Sequence, residues 1–424
     1  MADYTERGSR GQTKPGGLKN RAEIITRRSR AGFIRRAASI IFNRMISNSS
    51  GLSSLASGAR SWAARALAVE TKDAQRMKRP GATALIFVTL FLAALGVRLL
   101  HWQDLRVEME KGEGLLATLG RPYRQEAKRM REQGGLLFPS EPVKDGDARL
   151  IVHPPGYSIL IFIICGAFDD TTAMVWFQII FDALAAALLF LMAAEIFSLT
   201  PAAIAGSLAA LSPHLAHYSL WLTPESLASA LVLAAVYLLI RARKRPRFVT
   251  VVSAGLLLGL SCWLRANGLL LAPFLAVVIL LVFDDRRLRL ATAFTAAALL
   301  AVAPITIRNA LVYRHFIPLS LGAGITLIEG IGEYDKEGRF GLPATDKETV
   351  EKDAEWHGKP EYRRNLWTPD GVERDRYRFS RGLEVARSNP GWFVGVMLDR
   401  AAGMVRYNDS FGHGRHWHIG AVST

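Results

Sequence analysis

The sequence predicts an all-α fold, a polytopic membrane helical bundle with about seven transmembrane helices and a re-entrant or interfacial outer helix. Three observations support this prediction. Half of the 424 residues are apolar. Long apolar segments follow one another between Gly81 and Arg308, and the gaps between them alternate in charge. Runs of about 18 or more apolar residues span a bilayer, and short loops rich in Lys and Arg stay cytoplasmic.

A basic leader, Met1–Pro80, precedes the first apolar segment. It holds about seventeen Lys and Arg against about five Asp and Glu, so most of the net charge of +16 is local. Its Gly, Ser and Arg content is typical of a disordered cytoplasmic tail. The charge favours anionic membrane lipids as partners. The sequence has no basic patch interleaved with aromatic residues, and we therefore predict no nucleic-acid partner.

The predicted spans follow in chain order, each bounded by charged or turn-forming residues. They are Ala82–Leu100, Thr172–Phe197, Ala202–Leu215, Glu225–Ile240, Thr250–Leu264, Leu269–Phe283 and Leu290–Ile307. Between the first two lies an outer loop, His101–His153. Tyr157–Phe168 has only about twelve apolar residues, too few to span, and is predicted to be the re-entrant or interfacial helix.

The charge of the loops sets the predicted orientation. Seven crossings place the basic loops Arg241–Arg247 and Asp284–Arg289 on the same side as the leader, which is cytoplasmic. The chain then divides into the leader, a transmembrane module Gly81–Ile307 and an extracytoplasmic tail Arg308–Thr424. In the tail, Asn389–Tyr407 is predicted to be an interfacial helix, because charged residues interrupt its apolar run.

This orientation gathers polar residues on the outer face. The outer loop supplies acids, namely Asp104, Glu108, Glu110 and Glu113. Glu225 stands at the start of the fourth span, Arg265 and Asn267 follow the fifth, and Arg308 follows the seventh. Charged residues at helix ends also anchor a helix at its depth without any chemistry, and for each residue this interpretation stays open.

Asp182 differs from the others because it lies inside the second predicted span. A carboxylate there is costly and normally faces the bundle interior with a partner. Two interpretations remain open: a place in the functional site, or an interhelical hydrogen bond.

Several motifs in order resemble a known family. Tyr123-x-x-x-Ala127 is followed by His153-Pro-Pro-Gly-Tyr157, by Glu225, by Trp263-Leu-Arg265-Ala-Asn267 and by Pro304-Ile-Thr-Ile-Arg308-Asn309. This order resembles the GT-C superfamily of membrane glycosyltransferases. It is closest to the protein-mannosyltransferase-like group, glycosyltransferase family 39, which includes the aminoarabinose transferases.

The resemblance implies an inverting transfer of a sugar from a polyprenyl-phosphate carrier to a glycan, lipid or protein acceptor at the outer face. A first-loop acid would act as general base, so Asp104, Glu108, Glu110 and Glu113 are the catalytic candidates. The resemblance also implies that an Arg near the membrane surface holds the lipid phosphate, which makes Arg265 the first choice and Arg308 the second. The full set of substrate-binding candidates is Arg265, Asn267, Glu225, Arg308, His153, Tyr157 and Asp182.

The chain departs from the family pattern in two places. Many relatives carry an acid just before the Tyr-x-x-x-Ala element, where this chain has Leu119-Gly-Arg-Pro122. Relatives usually continue with further spans, so a shortened member, a fragment or an inactive relative stays an alternative. A lipid transporter or flippase is the alternative from another class. The sequence identifies no cofactor with certainty, and a divalent cation, Mg²⁺ or Mn²⁺, stays an alternative. The expected location is the bacterial inner membrane, with a cytoplasmic N-terminus and a periplasmic C-terminus.

Overall fold

The computed structural model describes residues 80–111, 120–135, 137–138, 151–166, 170–283 and 285–403. These residues contain helices and no strand, which confirms the predicted fold class. The predicted leader lies outside the described residues except for Pro80, which begins the first helix.

The described residues form fourteen α-helices, which are labelled in chain order. They are α1 Pro80–Lys111, α2 Arg121–Gln133, α3 Gly156–Cys165, α4 Thr172–Ile196, α5 Leu199–Ala210, α6 Pro213–Tyr218, α7 Glu225–Lys244, α8 Phe248–Leu264, α9 Gly268–Val282, α10 Arg287–Tyr313, α11 Ala323–Gly332, α12 Asp346–His357, α13 Gly371–Ser388 and α14 Pro390–Gly403.

Four helices in the described ranges are long and apolar enough to cross a bilayer. These are α1 over Pro80–Val107, α4, α7 and α10. Helices α5, α8 and α9 are also apolar but have at most 17 residues. Every predicted span therefore contains a helix, whereas the count of seven crossings stays a prediction.

Two helices differ from their predicted bounds. Helix α1 continues past Leu100 to Lys111, so the predicted outer loop begins as a helix. The third predicted span ends early at Ala210, and the separate helix α6 starts at Pro213. Proline lacks the N–H that a continuing helix needs and is suited to a first turn. Ser212 caps that turn, because its Oγ accepts a hydrogen bond from the Leu215 N–H at 3.3 Å.

The apolar helices pack in a row. Helix α4 contacts α1, α5 and α7, α7 contacts α8, and α8 contacts α9 and α10. Close approach of α8 to α10 depends on glycine: a Cβ at Gly255 would lie 2.3 Å from the Phe294 carbonyl oxygen, and one at Gly259 would lie 2.5 Å from that of Ala298. Small residues allow such backbone contact between apolar helices.

The C-terminal helices α11 to α14 have their own polar centre. Asp353 of α12 is fully buried and accepts hydrogen bonds from Arg374 and Arg378 of α13. Asp375, also on α13, accepts hydrogen bonds from the backbone N–H groups of Gly324 and Ile325 at the start of α11. The predicted interfacial helix corresponds to α14, whose Val394 and Leu398 are exposed.

Candidate functional site

The site is built around Arg265, which follows the last residue of α8. The backbone at Arg265 is extended, with φ −143° and ψ 126°, so the side chain leaves the helix axis. Its Nη2 lies 2.9 Å from Oε1 of Glu225, the first residue of α7. The carboxylate is favourable at that helix N-terminus. Both side chains stay partly accessible, 41% for Arg265 and 38% for Glu225.

Tyr123 reaches this ion pair from α2. The Arg265 cation lies close enough to act on the Tyr123 phenol, and the Tyr123 ring lies 5.0 Å from the rings of His153 and Tyr157. Burial raises the pKa of Tyr123 to about 12, although Arg265 acts to lower it. The phenol therefore keeps its proton at neutral pH and remains a hydrogen-bond donor.

His153 stands beside the same pair. Burial, and then the nearby Arg265 cation, lower the pKa of His153 below its usual value, while Glu225 opposes this shift. The imidazole is therefore neutral at neutral pH. A neutral imidazole has one donor and one acceptor nitrogen.

Tyr157 holds the turn that leads to Glu225. Its hydroxyl donates to Gln178 Oε1, and Gln178 Nε2 donates to the carbonyl oxygens of Trp221, at 2.7 Å, and Ser219, at 3.3 Å. Tyr157 and Gln178 are buried. In this structure Tyr157 is therefore a positioning residue, and its predicted contact with substrate stays a prediction.

Two glycines allow α2 and α3 to reach the ion pair. A Cβ at Gly156, at the start of α3, would lie 2.5 Å from the carbonyl oxygen of Trp263, two residues before Arg265. A Cβ at Gly120, just before α2, would lie 2.7 Å from Cβ of Leu222. Any larger residue at either position would push α3 or α2 away from the pair.

The turn before Glu225 has unused hydrogen-bonding capacity. Glu225 Oε2, Trp221 Nε1 and Ser226 Oγ are buried and have no hydrogen-bond partner in the described structure. Buried polar atoms normally find a partner in the protein, in water or in a ligand. An acceptor, a donor and a hydroxyl together suit a ligand that carries hydroxyl groups.

Arg308 follows the seventh predicted span, but its guanidinium is hydrogen-bonded within the protein. It is only 3% exposed, and its Nε donates to the Leu137 carbonyl oxygen at 2.8 Å. Neighbouring Asn309 donates to the carbonyl oxygens of Ile317 and Leu319, at 3.0 and 2.9 Å. Through these hydrogen bonds, the two side chains hold the backbone at Leu137, Ile317 and Leu319 against the end of α10. Asn267 is exposed in the turn between α8 and α9.

Asp182 pairs with Arg98 inside the bundle. Arg98 Nε donates to Asp182 Oδ2 at 2.6 Å, and its Nη1 donates to the carbonyl oxygens of Ala94 and Ala210. Arg98 is completely buried. The contact joins α1 to α4, and this geometry favours the interhelical interpretation of Asp182.

The described part of the structure does not show any of the four catalytic candidates at the Arg265–Glu225 pair. Asp104 is exposed on α1. Glu108 and Glu110 lie in the last turns of α1, where only the backbone is described, and Glu113 lies outside the described residues. Their role as base stays a prediction, and Glu225 is the carboxylate that contacts Arg265.

A divalent cation has weak support from the described residues. Within them, no group of three or more His, Cys, Asp and Glu side chains is arranged to hold a metal. Glu225 is already paired with Arg265. These residues do not fit a cation held by the protein alone, so no step below depends on one.

The middle of the chain matches a known family. Residues 152–308 match the family model of the dolichyl-phosphate-mannose-protein mannosyltransferases. This match fits the resemblance of the sequence to the GT-C glycosyltransferases. The matched range includes every substrate-binding candidate, and all four catalytic candidates precede it. No curated protein matches the chain.

Sequence reasoning missed two residues of this candidate site. Tyr123 appeared only as part of a motif, and its position before an apolar Ala127 was the signal that it faces the core. Trp221 had no signal, because its buried indole N–H is recognisable only once the turn is folded.

Proposed function

We propose that the protein is an inverting glycosyltransferase that moves a sugar from a polyprenyl-phosphate donor to an acceptor at the outer face of the inner membrane. The observation that carries this proposal is the partly exposed Arg265–Glu225 pair, flanked by Tyr123 and His153. It occurs where α8 ends and α7 begins, at one end of the apolar helices.

Arg265 suits the leaving group. As the bond between the sugar carbon and the phosphate oxygen breaks, the phosphate gains negative charge. A guanidinium binds phosphate with two parallel N–H donors and stabilises that charge. Arg265 keeps access to the outside, whereas Arg308 would first have to give up its bond to the Leu137 carbonyl. Arg265 is therefore the better phosphate ligand.

A carboxylate completes the displacement. The acceptor oxygen attacks the sugar carbon from the face opposite the phosphate and releases its proton to a base. We propose Glu108, Glu110, Glu113 or Asp104 for this role, as the family resemblance implies. Glu225, Trp221 and Ser226 would bind hydroxyl groups of the sugar or acceptor with atoms that have no partner among the described residues.

The first experiment replaces Arg265 with Ala and with Lys. Transfer is assayed in membrane vesicles with a mannosyl polyprenyl phosphate first, because the matched family description names dolichyl phosphate mannose. We expect Arg265→Ala to lower turnover about 100-fold, as for removal of one transition-state donor, and Arg265→Lys to recover part of it. Unchanged turnover in Arg265→Ala would reject this role.

A second experiment identifies the base. Asp104, Glu108, Glu110 and Glu113 are each replaced by the matching amide, and turnover is measured at saturating donor. One variant should be almost inactive with unchanged expression. If all four retain activity, the base belongs elsewhere, and Glu225→Gln becomes the next variant to assay.

A third experiment tests the orientation. A reporter that is active only in the periplasm is fused after Thr424, and a second is fused in the basic loop after Arg243. We expect signal from the first fusion alone. Signal from the second would contradict the seven-crossing topology and the outer-face site.

The transporter alternative is less well supported. A transporter would need polar groups near the membrane midplane in broken helices. The Arg98–Asp182 pair is the polar contact inside the bundle that most resembles this, yet α1 and α4 are continuous through it.

A further inference from the structure

Helices α8 and α10 begin side by side at one end of the bundle. They run in the same direction, because the backbone at Gly255 approaches Phe294 and the backbone at Gly259, one turn later, approaches Ala298. The first turn of α8 therefore lies next to the first turn of α10. This end of α8 is opposite to Arg265, which follows the last residue of the helix.

Further contacts bring two more helix ends to the same place. The Arg289 guanidinium of α10 stands over the Phe248 ring of α8, 5.3 Å from its centroid. Ala242 near the end of α7, Phe283 just after α9 and Leu290 of α10 belong to one hydrophobic cluster. The ends of α7 and α9 therefore lie beside the starts of α8 and α10.

Seven exposed arginines stand at these four helix ends, and we call them the arginine patch. They are Arg241, Arg243, Arg245, Arg247, Arg286, Arg287 and Arg289. Lys244 lies among them and is paired with Glu195 at the end of α4. The same two loops contain two acids, Asp284 and Asp285, which can neutralise at most two of the seven charges. Most of the positive charge therefore remains wherever these two carboxylates point.

The position of the patch favours a lipid partner. Helices α7 and α10 are both long and apolar enough to span a bilayer, and the patch lies where α7 ends and α10 begins. Lipid headgroups are found at the ends of spans, and Lys and Arg near the surface are attracted to anionic ones. The patch would therefore stand at the depth of the headgroups.

The side chains between the arginines also favour a lipid partner. Phe248, Val249 and Leu288 are apolar and exposed, from 47% to 73%. Such side chains are buried at the boundary between headgroups and acyl chains. An acidic peptide or free phosphate offers them no comparable apolar environment. Cations interleaved with exposed apolar residues are thus suited to a bilayer interface.

We infer that the arginine patch binds the headgroups of anionic phospholipids in the adjoining leaflet. The leader of the chain does not suit this place, because its roughly seventeen Lys and Arg against about five Asp and Glu would be repelled. The seven arginines also repel one another, and anionic headgroups would offset that repulsion. Since the patch lies at the opposite end of α8 from Arg265, the inference does not depend on the proposed transfer reaction.

Lipid binding to the full chain in detergent is the direct test. Native mass spectrometry counts bound lipids during titration with phosphatidylglycerol, which is anionic, and with phosphatidylcholine, which has no net charge. The variant Arg243→Gln/Arg287→Gln removes two charges of the patch. We expect it to bind phosphatidylglycerol about 30-fold more weakly and phosphatidylcholine as before.

Two control variants interpret the loss. Lys347→Gln/Arg364→Gln removes two exposed charges from the part of the chain after α10, and it should bind like the original protein. Arg243→Lys/Arg287→Lys keeps both charges of the patch and should retain binding. A thermal unfolding curve for each variant shows that it is folded.

A loss that is confined to phosphatidylglycerol and to the patch variant supports the inference. It is overturned if phosphatidylcholine binds the original protein as tightly as phosphatidylglycerol, if both double Gln variants lose binding equally, or if the patch variant loses none. Inorganic phosphate or a polyglutamate peptide that binds as tightly as phosphatidylglycerol would overturn the choice of a lipid. Arg265→Ala should bind phosphatidylglycerol like the original protein, and a loss there would place the lipid at the transfer site instead.

Discussion

The Arg265–Glu225 pair and the Asp353 cluster use the same chemical groups in opposite surroundings. Asp353, Arg374 and Arg378 are completely buried. Most of their remaining donors are used by backbone carbonyls, such as those of Asn365 and Leu366, and Arg378 Nη1 has no partner in the described structure. Arg265 and Glu225 are instead more than a third exposed, and Glu225 Oε2 has no partner in the described structure.

This difference in burial indicates which group of charges stabilises the fold and which is suited to binding a ligand. A buried charge must be fully paired, because an unpaired one costs several kcal/mol, and such a cluster cannot exchange partners easily. A partly exposed pair contributes about 0–1 kcal/mol and is free to accept a ligand. The Asp353 cluster therefore holds helices α12 and α13 together, whereas the Arg265 pair is suited to binding.

Asp353→Asn should have the largest effect. It leaves two buried guanidinium groups without their carboxylate, and we expect a loss of about 3–5 kcal/mol of folding stability. Thermal unfolding of the full chain measures it. Glu351→Gln removes the exposed pair with Arg363 and is the control, with an expected change below about 1 kcal/mol. Similar losses of folding stability in both variants would contradict the proposed difference between the buried cluster and the exposed ion pairs.

Arg265→Ala should show the reverse pattern. Stability should change by less than about 1 kcal/mol because the pair is partly exposed. The transfer barrier should rise by about 2.7 kcal/mol, equivalent to the 100-fold loss of turnover expected above. Unfolding and transfer are measured on the same preparation. A large loss of folding stability in Arg265→Ala would indicate that Arg265 mainly stabilises the fold.

The glycines of α8 extend the comparison to backbone contacts. Gly255→Ala places a Cβ 2.3 Å from the Phe294 carbonyl oxygen and should cost about 1–3 kcal/mol. Gly96→Ala on α1 meets no atom within 4 Å and should be neutral or stabilising by up to about 1 kcal/mol. Equal midpoints of thermal unfolding for the two variants would show that α8 and α10 are not tightly packed.

Replacement of His153 should have the smallest effect, and the effect should be visible only when the unfolding midpoint is measured as a function of pH. Burial and Arg265 lower its pKa in the folded protein, so the unfolded chain binds the proton more readily. Its contribution to stability is present above pH 6.5 and is lost as the pH falls through the lowered pKa. His153→Gln should flatten the fall of the unfolding midpoint between pH 7.5 and pH 5.

A matched control for this pH effect is His315→Gln. It removes a histidine that is not part of the cluster, and its pH profile is compared with that of His153→Gln. Some dependence should persist in His153→Gln, because burial, His101 and His214 also lower the pKa of His217. A His153→Gln profile that overlays the original would show that His153 does not titrate as inferred.

Much of the fold was predictable from local pattern. Each apolar segment between Ala82 and Ile307 contains a helix, because apolar runs bounded by charges have few other ways to bury their backbone. The placement of Arg265 just past a span end was predictable for the same reason. The early end of α5 was not, although Pro213 marked the place.

The order of residues along the chain determined the helices, the charge asymmetry and the set of candidate residues. Only the tertiary structure decided that Arg265 meets Glu225 and Tyr123, that Asp182 meets Arg98, and that Arg289 lies over Phe248. Helix periodicity is a local property, whereas these meetings join segments far apart in sequence. They depend on backbone approach at glycines such as Gly156, which no local pattern encodes.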